Sequence, residues 1–354
     1  MKARATEGTN PRATARTEGS ESLLSLIAAF RRRRIVVFGD LIADEFMYGR
    51  IARVSREAPV LILEYDATEI VPGGAGNAAN NVASLGGTVR LVSLLGRDEP
   101  GDRLFKVLPR AVERAGLSRP RSYRTPVKTR MLAGGIHSAK QQVVRIDRHT
   151  GEPVIDAHRR AAERAVLSAS KDADAVLISD YGSGLVQPRF VAEFAAKLRS
   201  RQNHVPILID SRYALTRYRG LTACTPNESE VEQVLGIKID DNRRALERAG
   251  RKLLEQTGLA CVLITRGSRG MALFEPDRPT VHIPIFGSDQ IADVTGAGDT
   301  VMATMTLALA AGASFEDAAR LANYAGGLVV MKRGTATVSA AELRRAVLRQ
   351  GYGG

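Results

Sequence analysis

Asp293-Val294-Thr295-Gly296-Ala297-Gly298-Asp299 places three small residues directly before an acid and a helix-like run over residues 300–311. Backbone N–H groups at the start of a helix have no partner inside it, so this stretch indicates a place where an anion can sit. Asp299 would stand beside that anion as a proton acceptor. An anion site next to a base is what transfer of a phosphoryl group to a hydroxyl requires. The alternative is a plain strand-to-helix turn with a first-turn acid.

Outward from this stretch, short apolar runs alternate with helical patterns. The apolar runs predict strands near residues 35–39, 59–64, 89–95, 175–179, 206–210, 223–225 and 261–265. This alternation predicts an α/β fold with a mostly parallel central sheet and helices on both faces. Ligands bind at the carboxyl ends of the strands in such sheets. The polar residues expected there are Asp40, Asp180, Asp210, Asn227 and Thr265.

The net charge of +13 over 354 residues permits nucleic-acid binding. Aromatic residues make up only 5% and tryptophan is absent, so no base-stacking surface is predicted. No apolar run approaches the roughly 20 residues that span a bilayer, and the first residues lack the apolar segment of a signal peptide. We therefore expect a soluble, cytoplasmic protein that binds neither nucleic acid nor membranes. Cys224 and Cys261 lie in apolar, strand-like contexts and are expected to be buried thiols.

Residues 1–20 are rich in Thr, Ala, Arg, Gly and Glu without an apolar period, and this predicts a disordered tail. Residues 21–350 are expected to form one domain. Further motifs in that domain, together with residues 293–299, carry a resemblance to a known family. They are Val37-Phe38-Gly39-Asp40, Ser55-Arg56-Glu57-Ala58-Pro59-Val60, Pro72-Gly73-Gly74-Ala75-Gly76-Asn77, Gln141-Gln142, Arg145-Ile146-Asp147, Ser179-Asp180-Tyr181-Gly182, Thr225-Pro226-Asn227-Glu228-Ser229-Glu230 and Thr265-Arg266-Gly267.

In their order and spacing these motifs resemble those of the ribokinase-like (PfkB) carbohydrate kinases over about residues 33–348. Within that family they are most similar to kinases that phosphorylate D-glycero-β-D-manno-heptose 7-phosphate at O1. Such kinases also occur as the N-terminal half of a bifunctional kinase/adenylyltransferase. The resemblance leaves the adenylyltransferase half without a counterpart, so a separate adenylyltransferase is an expected pathway partner. It implies a three-layer sandwich with a small β-sheet lid near residues 42–66 and 123–147, and a homodimer.

The resemblance assigns Asp299 as the general base, with the N–H groups of Gly296, Ala297 and Gly298 facing the transferred phosphoryl group. It implies ATP as donor and Mg²⁺ as cofactor. The residues expected to support the metal, largely through water, are Asn227, Glu230 and Asp180. For Glu230 the alternative is an ordinary first-turn acid, and for Asp180 it is a turn cap. A monovalent cation near Asp293 and Gly334 is implied by resemblance alone.

On the sugar side, Asp40 and Asn77 would bind hydroxyls, and Gly73 and Gly74 would let the backbone approach the sugar. A helix cap is the alternative for Asn77. The cations expected to bind the 7-phosphate are Lys128, Arg130 and Arg145, with exposed strand charges as the alternative. The residues expected near adenine are Thr265, Gly267 and Asn323, and for Asn323 the alternative is a surface helix position.

Two departures from the family pattern bear on substrate choice. Ser183 stands where the heptose subfamily usually carries Lys, and Arg56 stands where it usually carries Pro. The expected reaction is ATP-dependent phosphorylation of the heptose 7-phosphate to the 1,7-bisphosphate. The alternatives are a kinase for another sugar or sugar phosphate, a catalytically silent sugar- or nucleotide-binding paralogue, and a nucleic-acid-binding protein.

Overall fold

The computed structural model describes residues 11–134, 140–149, 153–201, 205–287, 293–332 and 334–352. The strands are β1 Arg34–Gly39, β2 Leu41–Val54, β3 Leu61–Gly74, β4 Thr88–Leu94, β5 Val112–Ser118, β6 Val127–Gly134, β7 Gln141–Arg148, β8 Ala175–Asp180, β9 Ile207–Ser211, β10 Ala223–Cys224, β11 Cys261–Thr265, β12 Met271–Phe274 and β13 Val281–Ile283. The helices are α1 Pro11–Ala29, α2 Ala75–Ser84, α3 Glu99–Val107, α4 Asp156–Ala169, α5 Pro188–Arg201, α6 Glu228–Leu235, α7 Arg243–Thr257, α8 Ala297–Ala310, α9 Phe315–Val329 and α10 Ala340–Tyr352.

In the described part of the chain, a nine-stranded sheet has the order β13-β12-β11-β10-β9-β8-β1-β4-β5. Its strands pair in parallel from β11 to β5, and β12 and β13 add antiparallel pairings at one edge. Every residue of β8 is buried, as is all of β1 after Arg34. Such continuous apolar runs are typical of parallel strands covered on both faces.

Apolar side chains form a separate core on each face of this sheet. Val37 of β1 packs in the core that includes Met302 of α8, whereas Phe38 packs in the opposite core with Phe194 of α5. Neighbouring residues of a strand point to opposite faces, so one apolar run supplies both cores. The predicted three-layer α/β sandwich is confirmed.

The strand order reverses at β1, which pairs with β4 on one side and with β8 on the other. Where the connections after two neighbouring strands run to opposite sides of a parallel sheet, a crevice opens at the carboxyl ends of those strands. Asp40 follows β1 directly, so it lies at this crevice.

A smaller sheet has the order β3-β2-β6-β7, and its strands include the segments expected to form the lid. Strand β3 is longer than the sequence indicates, because pairing of β2 with β3 continues to Leu41↔Gly74. Gly73 and Gly74 therefore end a strand that carries the lid down to the crevice, and helix α2 begins at Ala75.

Helix α1 differs from the sequence expectation, because residues 11–20 are helical although they were assigned to the tail. Leu23 and Ile27, one helical turn apart, are buried with Phe30 in the core and tether this helix. The polar residues 11–20 extend the helix without an apolar period of their own. Residues 1–10 of the expected tail lie outside the described residues.

Cys224 and Cys261 are buried free thiols on the neighbouring strands β10 and β11, as predicted. Among the described helices, none combines the length and apolar character needed to cross a bilayer.

Candidate functional site

Helix α8 begins at Ala297, and its N-cap residue Gly296 has a left-handed backbone with φ 76°. No side chain caps this helix start. Gly296, Ala297 and Gly298 line a cavity of about 380 Å³ together with Asp299. The first-turn N–H groups that the sequence predicted as an anion site therefore lie at the wall of this cavity.

The Asp299 carboxylate is buried in the first turn of α8, with 5% of the residue exposed. Its Oδ2 accepts a hydrogen bond from Asn77 Nδ2 at 2.7 Å, and its Oδ1 accepts one from the Tyr181 hydroxyl at 3.3 Å. Burial raises the pKa of Asp299 to about 7, against the lowering effect of these two hydrogen bonds and of Lys128. A carboxylate with such a pKa suits proton transfer near neutral pH.

Asn77, expected from the sequence to contact sugar, is held by hydrogen bonds inside the protein. It is fully buried in α2, and its amide nitrogen also faces Gly296 O at 3.4 Å. Its Oδ1 accepts from Asn81 Nδ2 at 3.1 Å. Both polar atoms of the side chain are thus hydrogen-bonded inside the protein, and the N-cap of α2 is Gly74 rather than Asn77.

Asp40 lies at the crevice with 1% of the residue exposed. Its Oδ2 accepts from the backbone N–H groups of Tyr181 and Ser183, at 2.9 and 3.1 Å. Its Oδ1 is buried without a hydrogen-bond partner. Burial, with a smaller contribution from Asp180, raises the pKa of Asp40 to about 7. A buried carboxylate oxygen without a partner is costly unless a ligand hydroxyl completes it.

Gly73 and Gly74 allow close approach, but the groups that approach them belong to the protein. A Cβ at Gly73 would lie 2.2 Å from Asp44 Oδ2, and one at Gly74 would lie 2.5 Å from Asp40 O. Gly74 also has φ 55°, which side chains disfavour. The two glycines therefore bring the acids of β2 and of the crevice into position.

The three cations expected to bind a sugar phosphate are placed differently. Lys128 lies over the Tyr181 ring at 4.6 Å, and burial lowers its pKa. Arg130 pairs with Asp44 at 2.6 Å, and both side chains are largely buried. Arg145 pairs with Asp147 on its own strand and is 43% exposed. Only Lys128 of the three faces Asp299 without being held by an acid among the described residues.

The residues expected to bind nucleotide meet in one place. Asn227, Glu230, Thr265, Gly267 and Asn323 all line the same cavity as the start of α8. Asn323 is 7% exposed and donates to Pro284 O at 2.9 Å, so it is not a surface residue.

Asn227 and Glu230 form a reciprocal cap at the start of α6. Asn227 Oδ1 accepts from Glu230 N, and Glu230 Oε2 accepts from Asn227 N, both at 2.9 Å. Burial raises the pKa of Glu230 despite these bonds. The first-turn role and the cavity-lining role therefore coexist in this acid.

The Asp180 side chain favours the turn-capping alternative over a metal role. Its Oδ2 accepts from Ser211 Oγ at 2.8 Å and from the Tyr218 hydroxyl at 2.6 Å. Its Oδ1 accepts from Gly182 N at 3.0 Å. Because the carboxylate is surrounded by protein donors, it holds the loop after β8 in place.

Asp293 also binds backbone groups. Its Oδ1 accepts from Thr295 N at 2.9 Å and its Oδ2 from Gly334 N at 3.1 Å. The two segments that the resemblance assigned to a monovalent cation are thereby joined to each other. Of the two departures, Ser183 lies beside Asp40, whereas Arg56 is exposed in the connection between β2 and β3.

The family profile described as "pfkB family carbohydrate kinase" matches residues 32–342. The chain belongs to this family of carbohydrate kinases. Among similar curated proteins, "Bifunctional protein HldE" of Geobacter metallireducens is 41% identical over 321 residues, which are 90% of this chain and 64% of the relative. The protein of the same name from Geobacter sulfurreducens is 42% identical over 325 residues, with the same coverage. The chain thus spans less than two thirds of the length of these relatives.

Solved structures of sugar kinases share the fold of this kinase. Phosphofructokinase-2 from Escherichia coli in complex with potassium has a TM-score of 0.71 at 18% identity, covering 89% of this chain and 98% of that one. Arabidopsis thaliana ribokinase complexed with ribose and ATP has a TM-score of 0.68 at 20% identity, covering 91% of this chain and 99% of that one. These likenesses confirm the ribokinase-like architecture.

The cavity residues that the sequence analysis did not assign to the site include Tyr181 and Arg212. Tyr181 bridges Asp299 and Lys128, and Arg212 lines the cavity. Tyr181 directly follows Asp180, the last residue of β8, and Arg212 directly follows Ser211, the last residue of β9. Their position after β8 and β9 was the available signal, because strand ends of a parallel sheet meet at one edge.

Proposed function

We propose that this carbohydrate kinase transfers the γ-phosphoryl group of ATP to O1 of D-glycero-D-manno-heptose 7-phosphate, giving the 1,7-bisphosphate. The observation that carries the proposal is the position of Asp299. It lies in the first turn of α8, lines the nucleotide-sized cavity, and hydrogen-bonds Tyr181, whose own N–H binds Asp40. A base between a donor cavity and a hydroxyl-binding acid is the arrangement that phosphoryl transfer to an alcohol needs.

In the proposed mechanism, Asp40 Oδ1 accepts hydrogen bonds from sugar hydroxyls. The oxygen of the acceptor hydroxyl attacks the γ-phosphorus while Asp299 takes the proton of that hydroxyl. The bond between the γ-phosphorus and the leaving ADP oxygen breaks in the same step. The N–H groups of the first turn of α8 face the charge that develops on the phosphoryl oxygens. The lid sheet excludes water, which would otherwise accept the phosphoryl group.

The residues present fit ATP with Mg²⁺. Asp210 and Glu230 line the cavity, and burial raises the pKa of each, so a cation beside them would be stabilising. Within the described ranges, no cluster of three or more acidic, His or Cys side chains could hold a metal alone. Mg²⁺ is commonly held by one or two carboxylates plus substrate phosphates and water. When bound, it neutralises charge on those phosphates.

The heptose substrate is supported by the motif resemblance and by the similarity to relatives named HldE. Lys128 is the proposed contact for the sugar phosphate, joined by Arg130 and Arg145 if their partners Asp44 and Asp147 release them. Because these two arginines are already paired with acids, the structure also favours a second candidate, a kinase for a sugar that lacks the distal phosphate. The intact Asp299 and α8 start argue against a silent paralogue.

The test is ADP release with ATP and Mg²⁺ against heptose 7-phosphate, fructose 6-phosphate, fructose and ribose. We expect the highest kcat/KM with heptose 7-phosphate. Preference for ribose or fructose would replace the substrate and keep the reaction class. Absence of turnover on all four would contradict the proposed function.

The proposed base predicts a pH dependence. Asp299 must be ionised to accept a proton, and burial raises its pKa to about 7. We therefore expect kcat to rise with pH through about 7, to level off above it, and to fall about tenfold per unit well below it. The measurement is kcat at saturating substrates from pH 5.5 to 9. A flat profile across this range would exclude Asp299 as the titrating base.

A substitution of Asp40 separates sugar binding from catalysis. Asp40→Asn keeps the shape, but its amide oxygen must take the place of Oδ2, which accepts from two backbone N–H groups. An NH2 group that cannot accept from sugar hydroxyls then replaces Oδ1, the oxygen without a protein partner. We expect the KM for sugar to rise about 10–100-fold, the value of one or two charge-assisted hydrogen bonds. The KM for ATP serves as the internal control and should stay within about twofold. Equal changes in both constants would show that Asp40 acts on the whole site.

We also propose a homodimer formed through the lid. Strands β3 and β7 are the edges of the small sheet, and they expose the apolar side chains Tyr65, Val144 and Ile146. Exposed apolar strand edges are typical of pairing surfaces. Light scattering should give twice the chain mass, and a monomer at micromolar concentration would contradict this. We further propose that the reaction is cytoplasmic and that a separate adenylyltransferase acts in the same pathway.

A further inference from the structure

A buried chain of polar side chains leads from Asp299 into the interface of α2 and α8. Asn77 Nδ2 donates to Asp299 Oδ2 at 2.7 Å. Asn81 Nδ2 donates to Asn77 Oδ1 at 3.1 Å and to Asn77 O at 3.0 Å. The Thr300 hydroxyl donates to Asn81 Oδ1 at 2.9 Å, and Gly296 O lies 3.3 Å from the same hydroxyl as a second, longer acceptor. Asn77, Asn81 and Thr300 each have 0% of their surface exposed.

The order of donors and acceptors in this row of side chains is set by the chemistry of its members. The backbone oxygen of Asn77 can only accept and the Thr300 hydroxyl can donate, so the two together hold the Asn81 amide with its nitrogen toward Asn77 and its oxygen toward Thr300. That nitrogen meets Asn77 Oδ1, and this turns the amide nitrogen of Asn77 toward Asp299. If the Asn77 amide were reversed, its oxygen would face the carboxylate and the two acceptors would repel each other.

Apolar residues would fill this interface at lower cost if packing were the only requirement. Ala78, Val82 and Met302 of the same two helices already pack there as apolar, buried residues. A buried polar network stabilises only when every member is satisfied, and its gain is a unique arrangement of the groups it holds. The group held here at its end is the proposed base.

We propose that Asn81 and Thr300 are positioning residues that act through Asn77 to fix Asp299 Oδ2, leaving Oδ1 as the oxygen that receives the proton. Tyr181 OH contacts Oδ1 at 3.3 Å, so it marks where the acceptor hydroxyl of the sugar would approach. This inference rests on the proposed function, because it assigns its base a fixed orientation.

Thr300→Val tests the inference at the far end of the chain, where the side chain contacts neither Asp299 nor substrate. It removes the hydroxyl that orients Asn81 and keeps the branched shape. Thr306→Val is the matched control, since Thr306 is equally buried on α8 and its hydroxyl donates only to the helix at Met302 O, 2.8 Å away. Thr300→Ser restores the donor and is the rescue variant.

We expect Thr300→Val to lower kcat about 5–10-fold, the worth of roughly one hydrogen bond, with the KM values for sugar and ATP within about twofold. The acid limb of the kcat profile should move to higher pH, because a donor that favours the ionised form of Asp299 is loosened. Thr306→Val should match the wild type in kcat and should melt at or above the temperature of Thr300→Val, because only Thr300→Val leaves the buried Asn81 Oδ1 without its donor. Thr300→Ser should return the limb to its wild-type position.

The titratable groups that face Asp299 from other elements are Asp44 of β2, Lys128 of β6, Tyr181 after β8 and Asp210 of β9. None of them hydrogen-bonds the substituted threonine among the described residues. The Thr300 hydroxyl also faces Gly296 O four residues earlier, and Thr306→Val removes the equivalent contact with Met302 O. A shift of the acid limb in Thr300→Val that Thr306→Val does not show therefore reports the side-chain amides of Asn81 and Asn77. A wild-type kcat and limb in Thr300→Val, or equal losses in both valine variants, would overturn the inference.

A second readout separates this inference from the proposed function. Protein labelled with ¹³C at aspartate side-chain carboxyls gives an Asp299 signal, identified by its loss in Asp299→Asn. Its titration midpoint should rise in Thr300→Val and stay unchanged in Thr306→Val, whether or not any sugar is turned over. If the wild type phosphorylates no sugar, the proposed function fails, and this midpoint still decides the inference. An unmoved midpoint overturns it.

Discussion

Replacing Asp299 by Asn is expected to lower kcat by about 10²–10⁴-fold, the range that a positioned general base supplies. The carboxamide keeps the size of the side chain and can present its oxygen to Asn77 Nδ2, which now lies 2.7 Å from the carboxylate. The nucleotide cavity keeps its shape, so the affinity for ATP should stay within about threefold. Turnover and nucleotide binding are measured on the same preparation. A variant that retains more than about a tenth of wild-type kcat would remove Asp299 as the base.

The same variant carries a control for folding. Burial raises the pKa of Asp299 above its unfolded value, so the stability that this group contributes below about pH 4 is lost as pH rises through about 7. Asn has no such titration. At pH 8 Asp299→Asn should therefore melt at a temperature equal to or above that of the wild type, and the gap should close toward pH 5. An inactive variant with a lower melting temperature would leave a folding defect as the cause.

Gly296→Ala is expected to lower kcat by about 10²–10³-fold, the effect of losing one N–H donor to a developing anion. Gly296 has φ 76°, where a side chain is strained, and its Cβ would lie 2.5 Å from Asn77 Nδ2. The start of α8 must therefore shift, and Asn77 must move from Asp299. The measurement is kcat with saturating ATP and sugar.

Gly298→Ala is the matched substitution two residues further on. Its Cβ meets no atom within 4 Å, and its backbone is helical. We expect this variant to melt at the wild-type temperature, whereas Gly296→Ala melts several degrees lower. Because Gly298 lines the cavity, any rise in its KM for ATP reports crowding of the phosphates alone. Wild-type kcat in Gly296→Ala would show that the conformation of this glycine is unimportant for transfer.

The sequence predicts much of the fold because its signals are local. Apolar runs such as residues 35–39 specify strands buried on both faces, and the acids that follow them mark the carboxyl edge of the sheet. The run of small residues before Asp299 specifies a tight entry into α8, and the structure places that entry at the nucleotide-sized cavity. The lid segments also follow from the resemblance, which carries their order along the chain.

Partner choice among polar side chains was not predictable in the same way. The sequence predicts Asn77 as a sugar ligand but does not predict its hydrogen bond to Asp299, because the two residues lie far apart along the chain. The sequence predicts Arg130 as a phosphate ligand but does not predict its ion pair with Asp44, which results from the pairing of β2 with β6. The sequence predicts Asp180 as a metal ligand but does not predict the hydrogen bonds that Ser211 and Tyr218 donate to it. Each outcome depends on the register of strands or the packing of helices, which local patterns do not contain.

The contact between Asn77 and Asp299 joins residues 222 positions apart. Closing so long a loop is slow compared with forming helices and adjacent strand pairs, because the entropy of the intervening chain is lost before the contact is made. The first βα unit with α2 can form early in synthesis, but its asparagine meets the carboxylate only after α8 has emerged and docked. During refolding, the time at which catalytic activity returns therefore reports when α8 docks on α2. We expect activity to return later than the helical circular dichroism signal.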